Sequence, residues 1–105
     1  MSNNVLERTL YKDALHKWGL SSQLDMLVEE CGELIVAVQK LHRYGKTAKR
    51  VDAVLEELAD VSIMIGQMTL TDALALTGEA AYNVKREQKL NRLRETIANW
   101  REDVR

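Results

Sequence analysis

The 105-residue chain has no proline, one cysteine, two histidines and five glycines. Each shortage removes a class of structure. Without proline or a glycine-rich tract there is no linker to separate domains, so a single domain over residues 1–105 is expected. The lone Cys31 has no partner for an internal disulfide, and its apolar helical neighbours make it a core residue. A ferritin-like di-iron site would need a Glu-x-x-His motif on each of two helices. His16 follows Asp13 and His42 follows Gln39 at that spacing, so neither histidine completes one. No apolar run approaches the ~18 residues of a membrane span. There is no glycine-rich phosphate loop, no Ser-His-Asp order and no helix-turn-helix signal. The start, Met1 to Glu7, lacks the basic and then apolar pattern of a signal peptide, from which a cytoplasmic protein is expected.

The formal net charge of −1 gives no general attraction to nucleic acid or to an anionic membrane. Its distribution says more. Residues 1–84 carry 8 basic and 12 acidic side chains, whereas residues 85–105 carry 7 and 4. An acidic centre followed by a basic C-terminal segment suits a polyanion bound through a bridging cation. A nucleic-acid partner is not expected, because the basic residues of that segment are interleaved with Glu87, Glu95, Glu102 and Asp103.

Apolar residues recur at spacings of three and four, with no convincing period of two, which predicts an all-α fold of four helices. The first runs from about Val5 to Trp18, with Leu6, Leu10, Ala14, Leu15 and Trp18 as its apolar stripe and Gly19 as its cap. Ser21 or Ser22 is expected to cap a second helix that ends at Tyr44, closed by Gly45. The third begins between Thr47 and Val51 and runs into the seventies, with Leu55, Leu58, Ser62 and Ile65 on one face. Val54, Val61, Ile63, Met64 and Met68 spread apolar character around most of its circumference. Such a helix must be covered on all sides, so it is expected to be central in a bundle completed by a homo-oligomer, a dimer or tetramer. The fourth runs from about Glu79 to Glu102 and carries Ala80, Val84, Leu90, Leu93, Ile97 and Trp100.

Two acidic clusters lie within the most apolar helices. Glu29, Glu30 and Glu33 share an arc of roughly 100° on the second helix, and Glu57 and Asp60 share a face of the third with Val61, Met64 and Met68. Antiparallel packing about Gly45 joins the patches, since Glu33 and Glu57 lie at comparable distances from it. No basic residue lies between Asp25 and Lys40 or between Asp52 and Asp72 to pair with them inside either helix. Two carboxylates ~6 Å apart repel by about 3 kcal/mol at an effective dielectric of ~20. Four or five together call for a divalent cation. All the donors are oxygens, which favours Mg²⁺, with Mn²⁺ as a substitute, over zinc or copper.

The pattern Glu29-Glu30-x-x-Glu33, followed after 23 residues by Glu57-x-x-Asp60, resembles the signature of the MazG-like all-α nucleoside triphosphate pyrophosphohydrolases. The likeness extends from Trp18-Gly19 and Gln23 to Met26, through Glu56 to Val61, Ile63, Met64 and Gln67, to Lys89-Leu90-Asn91-Arg92-Leu93. These stretches look like the small single-domain members found in bacteria and their phages. The resemblance implies a MazG-like four-helix bundle that hydrolyses an NTP or dNTP to the monophosphate and pyrophosphate, in nucleotide-pool house-cleaning. It implies that Glu30, Glu33, Glu57 and Asp60 hold Mg²⁺ and that Glu29 positions or deprotonates the attacking water. Glu56 has no role in the family and is expected to be solvated.

Lys40, two turns beyond Glu33 on the same face, and nearby Arg43 are candidates to hold the distal phosphates, as are Lys85, Lys89 and Arg92 of the last helix. Trp18 is a candidate to stack on a base and Gln23 to bond its edge, although a tryptophan there is more simply a core anchor. The alternatives are a non-enzymatic helical oligomerisation module and the same fold acting on phosphoribosyl-ATP.

Overall fold

A computed structural model describes residues 3–103. Met1 and Ser2, which belong to the segment read for a targeting signal, lie outside the described residues, as do Val104 and Arg105. Four helices follow one another: α1 (Asn3–Trp18), α2 (Leu20–Tyr44), α3 (Ala48–Thr69) and α4 (Gly78–Asp103). The expected all-α architecture and number of helices are found, and no described helix is long and apolar enough to cross a membrane.

Two glycines set the chain reversals. Gly19 alone joins α1 to α2 at φ 85°, a region that L side chains enter only with strain. Its N–H donates to the Leu15 carbonyl at 2.9 Å, and its carbonyl accepts from Gln23 N–H at 3.1 Å. Because helical bonding already begins at Gly19, Ser21 and Ser22 lie inside the first turn of α2 and do not cap it, contrary to expectation. Gly45, at φ 88°, closes α2 as expected, its N–H donating to Leu41.

Thr47 caps α3, its hydroxyl accepting from Arg50 N–H at 3.2 Å. The Arg50 guanidinium then donates to the carbonyls of Tyr44 and Gly45, at 2.8 and 3.1 Å, and lies over the Tyr44 ring. These bonds hold α2 and α3 as an antiparallel hairpin. At its other end α3 stops at Thr69, earlier than the periodicity suggests. The Thr71 hydroxyl donates to the Gln67 carbonyl and accepts from Ala73 N–H, offering the backbone a local alternative to another helical turn.

α3 is the central element and contacts each of the other helices. Its buried residues are Val61, Met64, Gly66, Gln67 and Met68, whereas Leu55, Leu58, Ser62 and Ile65 stay exposed in the single chain. α1 differs from expectation too. Leu6, Leu10 and Trp18 are exposed, and the helix is anchored by Tyr11, 5% exposed, which lies against Gly66. Arg8 adds a two-pronged ion pair with Glu79 at 2.8 and 2.7 Å and a bond to the Leu70 carbonyl, so the start of α4 is tied to α1.

Beyond that tie α4 packs on α3 alone, leaving Val84, Leu90, Leu93, Ile97 and Trp100 exposed. The radius of gyration is 17.3 Å, against about 13 Å for a compact domain of this length. The helix therefore projects from the body of the protein.

Gly66 permits the close approach of α1. A Cβ there would lie 2.5 Å from the Tyr11 ring, whereas one at Gly32 would meet nothing within 4 Å. Gly66→Ala is therefore expected to lower stability by ~1 kcal/mol despite its gain in helix propensity. Gly32→Ala is expected to raise it by up to about 1 kcal/mol. Urea unfolding of the two variants checks the opposite signs.

Candidate metal centre

The α2–α3 seam is built from residues stepping in opposite directions. Gln23 Nε2 donates to Gln67 Oε1 at 2.7 Å, which fixes the register near the Gly19 end. Seven residues on, in each direction of travel, lie Glu30 and Asp60, and three further lie Glu33 and Glu57. Steps of seven and three keep to one helical face, so the glutamine pair and the acids occupy one stripe, ~10 Å apart along it. The two acidic patches do meet across the hairpin. One carboxylate oxygen from each of Glu30, Glu33 and Glu57 lies within 4.8 Å of the others.

Shielding makes this cluster unlike a solvated acidic surface. Glu30 and Glu57 are half-buried, and the Oε2 of each is closed off from solvent with no hydrogen-bond partner. Burial raises the Glu30 carboxyl above the usual carboxylate range, helped by the charges of Glu33, Asp60, Glu57 and Glu29. Glu57 is raised by burial, by the charges of Glu33 and Asp60, and by a hydrogen bond with Glu33 that favours its protonated form. Among the described residues, every charge that raises these two groups is another carboxylate.

Asp60 stands beside the cluster and adds to its field without joining the three-oxygen group. Glu29 and Glu33 are exposed on an open cavity of about 480 Å³ shared with Glu57, Val36, Lys40 and Ala53. Glu56 is exposed, as expected. The donors are all carboxylate oxygens, with no histidine or cysteine in the group. Together with the two orphaned oxygens, that set fits a hard divalent cation.

The remaining candidates separate into groups. Lys40 lines the acidic cavity, and Arg43 lines an adjoining hollow with Lys40 and Val36. Lys49 and Arg50, which sequence reasoning missed, line a further hollow with Lys40 and Ala53. The signal was present in the i, i+4, i+8 spacing of Lys49, Ala53 and Glu57. Lys85, Lys89 and Arg92 are not brought to the acids within one chain, because α4 does not pack on α2. Trp18 is 56% exposed with Lys17 over its ring, so it is not a core anchor. Gln23 is buried and its amide N–H is engaged by Gln67. Cys31 is half-buried.

Comparison with protein-family models, with curated proteins and with solved structures finds no match to this chain.

The raised carboxyls give stability a definite pH dependence. A group held more tightly protonated in the folded state costs nothing below its unfolded pKa and destabilises as pH rises through its folded pKa. The Arg8–Glu79 pair has the opposite sign, since Glu79 is lowered and its contribution is lost in acid. Subtracting wild type from Glu30→Gln isolates the first effect. Without metal, the variant's Tm should exceed that of wild type near pH 8, with the difference vanishing towards about pH 4. Mn²⁺ should raise the wild-type Tm near pH 8 and leave the variant's much less changed. Thermal scans across pH, with and without Mn²⁺, check both.

Proposed function

We propose that this chain is a Mg²⁺-dependent nucleoside triphosphate pyrophosphohydrolase of the MazG-like type, converting an NTP or dNTP and water to the monophosphate and pyrophosphate. The observation that carries the reading is the trio Glu30, Glu33 and Glu57, which bring one carboxylate oxygen each within 4.8 Å of the others, while Glu30 and Glu57 each also hold a shielded, unpartnered Oε2. Glu30, Glu33, Glu57 and Asp60 hold the ion. When bound, Mg²⁺, or Mn²⁺ in its place, offsets phosphate charge and activates water.

The protein's own groups divide the remaining work. Glu29, solvent-exposed on the same cavity, orients the attacking water and takes its proton. Attack at the α-phosphorus breaks its bond to the bridging oxygen, and pyrophosphate leaves with the electron pair. Lys40 lies on that cavity, with Arg43 and Lys49 on the adjoining hollows, and these cations stabilise the departing charge.

A second copy completes the bundle. The exposed apolar residues of α4 and the Leu55, Leu58 and Ile65 face of α3 supply the surfaces to be covered. In such a homo-oligomer Lys85, Lys89 and Arg92 of one protomer serve the phosphates bound by its partner. Nucleotide-pool house-cleaning in the cytoplasm is the role this chemistry suits.

Pyrophosphate release from a panel of ribo- and deoxyribonucleoside triphosphates tests the reaction. Release should require Mg²⁺ or Mn²⁺ and fall by on the order of 10²–10³ in Glu33→Gln, with helical content unchanged. Light scattering should give at least twice the 12.0 kDa chain mass. No release from any nucleotide with either metal would contradict the proposal.

A further inference from the structure

A second cavity, of about 600 Å³, lies between α1 and α3 and is separate from the metal centre. Its volume is within the ~300–1,000 Å³ usual for small-molecule sites. The walls are apolar, formed by Leu6, Leu10, Tyr11, Ala14 and Ile63, and two polar groups converge on it, Gln67 and Glu7.

Both polar groups have bonding capacity left over. Gln67 is 5% exposed, and its Oε1 is engaged by Gln23. Its Nε2 carries two N–H groups and meets only the Met64 sulfur at 3.7 Å, a weak acceptor. One N–H donor of a buried amide lining the cavity is thus without an oxygen or nitrogen partner among the described residues. Glu7, which is solvent-exposed, accepts the Tyr11 hydroxyl on Oε1 at 2.5 Å, and no hydrogen bond to its Oε2 is found among the described residues. The groove therefore offers one donor and one carboxylate acceptor between apolar walls.

Its position relates it to the acids. On α3 the residues Asp60, Ile63 and Gln67 are spaced by three and four, which places Gln67 within ~20° of Asp60 around the axis and ~10 Å along it. The groove thus opens on the Asp60 side of α3, towards the Gly19 end. The hollows lined by Lys40, Arg43 and Lys49 lie on the other side of the acids, towards Gly45. An apolar slot with a donor and an acceptor, then a cation site, then a basic rim is the order of groups in a nucleoside triphosphate.

Resting on the nucleotide reading above, we infer that the α1–α3 groove takes the base, with Gln67 donating to a ring carbonyl and Glu7 accepting a base N–H. The bound nucleotide runs along α3, its base towards Gly19 and its terminal phosphates towards Gly45. Uracil, thymine and guanine present a carbonyl beside an N–H, whereas adenine has no carbonyl. The groove selects the former.

The test compares UTP, GTP and ATP on wild type, Gln67→Leu and Ala14→Trp, the last filling the groove without touching the amide pair. Wild type should prefer UTP or GTP over ATP by on the order of tenfold in kcat/KM. Ala14→Trp should lose that preference through KM, with kcat nearly unchanged and the Mn²⁺-induced rise in Tm retained. Gln67→Leu, which also removes the amide tie of the α2–α3 seam, should lose the preference together with some kcat. A folded, Mn²⁺-stabilised pair of variants that keeps the wild-type preference would overturn the inference. So would an Ala14→Trp variant that changes only the oligomeric state, since the groove would then seat a second copy.

A metal-free NMR titration with UMP and AMP separates this inference from the proposed reaction. Shifts of the Gln67 side-chain amide with UMP and not with AMP support the groove even if no pyrophosphate is released. Silence with both nucleotides overturns it.

Discussion

Mutual repulsion among carboxylates held across the α2–α3 seam is the constraint on which the rest of this structure turns. Two free helices would relieve it by sliding or rolling apart. Here the seam is tied at both ends, by the Gln23–Gln67 amide bond on one side and by Thr47 and Arg50 on the other. Between those ties Glu30 and Glu57 each keep one oxygen out of water and without a partner. The hairpin is thus preorganised for positive charge, and its own cations stand at the rim, outside the cluster.

The same seam explains why so little else is buried. Among the described residues, Tyr11, Val61, Met64 and Met68 are the buried hydrophobic ones, and no large side chain is fully enclosed. A helix pair that devotes some of its inner face to acids has less apolar surface to bury. The long exposed stripe of α4 is the counterpart, apolar residues at 90, 93, 97 and 100 on one face with nothing over them. An oligomer that covered this stripe would supply the missing core and carry basic residues of α4 towards a neighbouring site in one step. The Arg8–Glu79 ion pair fixes where that helix departs.

Much of the hairpin was legible in the sequence. The glycines at 19 and 45 and the threonine at 47 marked its ends, and the equal distances of Glu33 and Glu57 from Gly45 indicated that the patches would meet. Local periodicity was less informative about which apolar face is inward. On α1 the Leu6, Leu10 and Trp18 stripe looked like the anchor, yet Tyr11 holds the helix because Gly66, 55 positions away, leaves room for its ring. No pattern within α1 reveals a gap on another helix. The Gln23–Gln67 bond was similarly hidden, since a lone glutamine in a helix is unremarkable until its partner across the hairpin is known. Counting seven residues outward from Glu30 and from Asp60 would have found both.

Direct Mn²⁺ binding, followed by the loss of the free-ion EPR signal on titration into metal-free protein, tests the central claim. Saturable binding is expected, with loss of the site in Glu57→Gln. An undiminished free-ion signal, or equal binding by the variant, would contradict it.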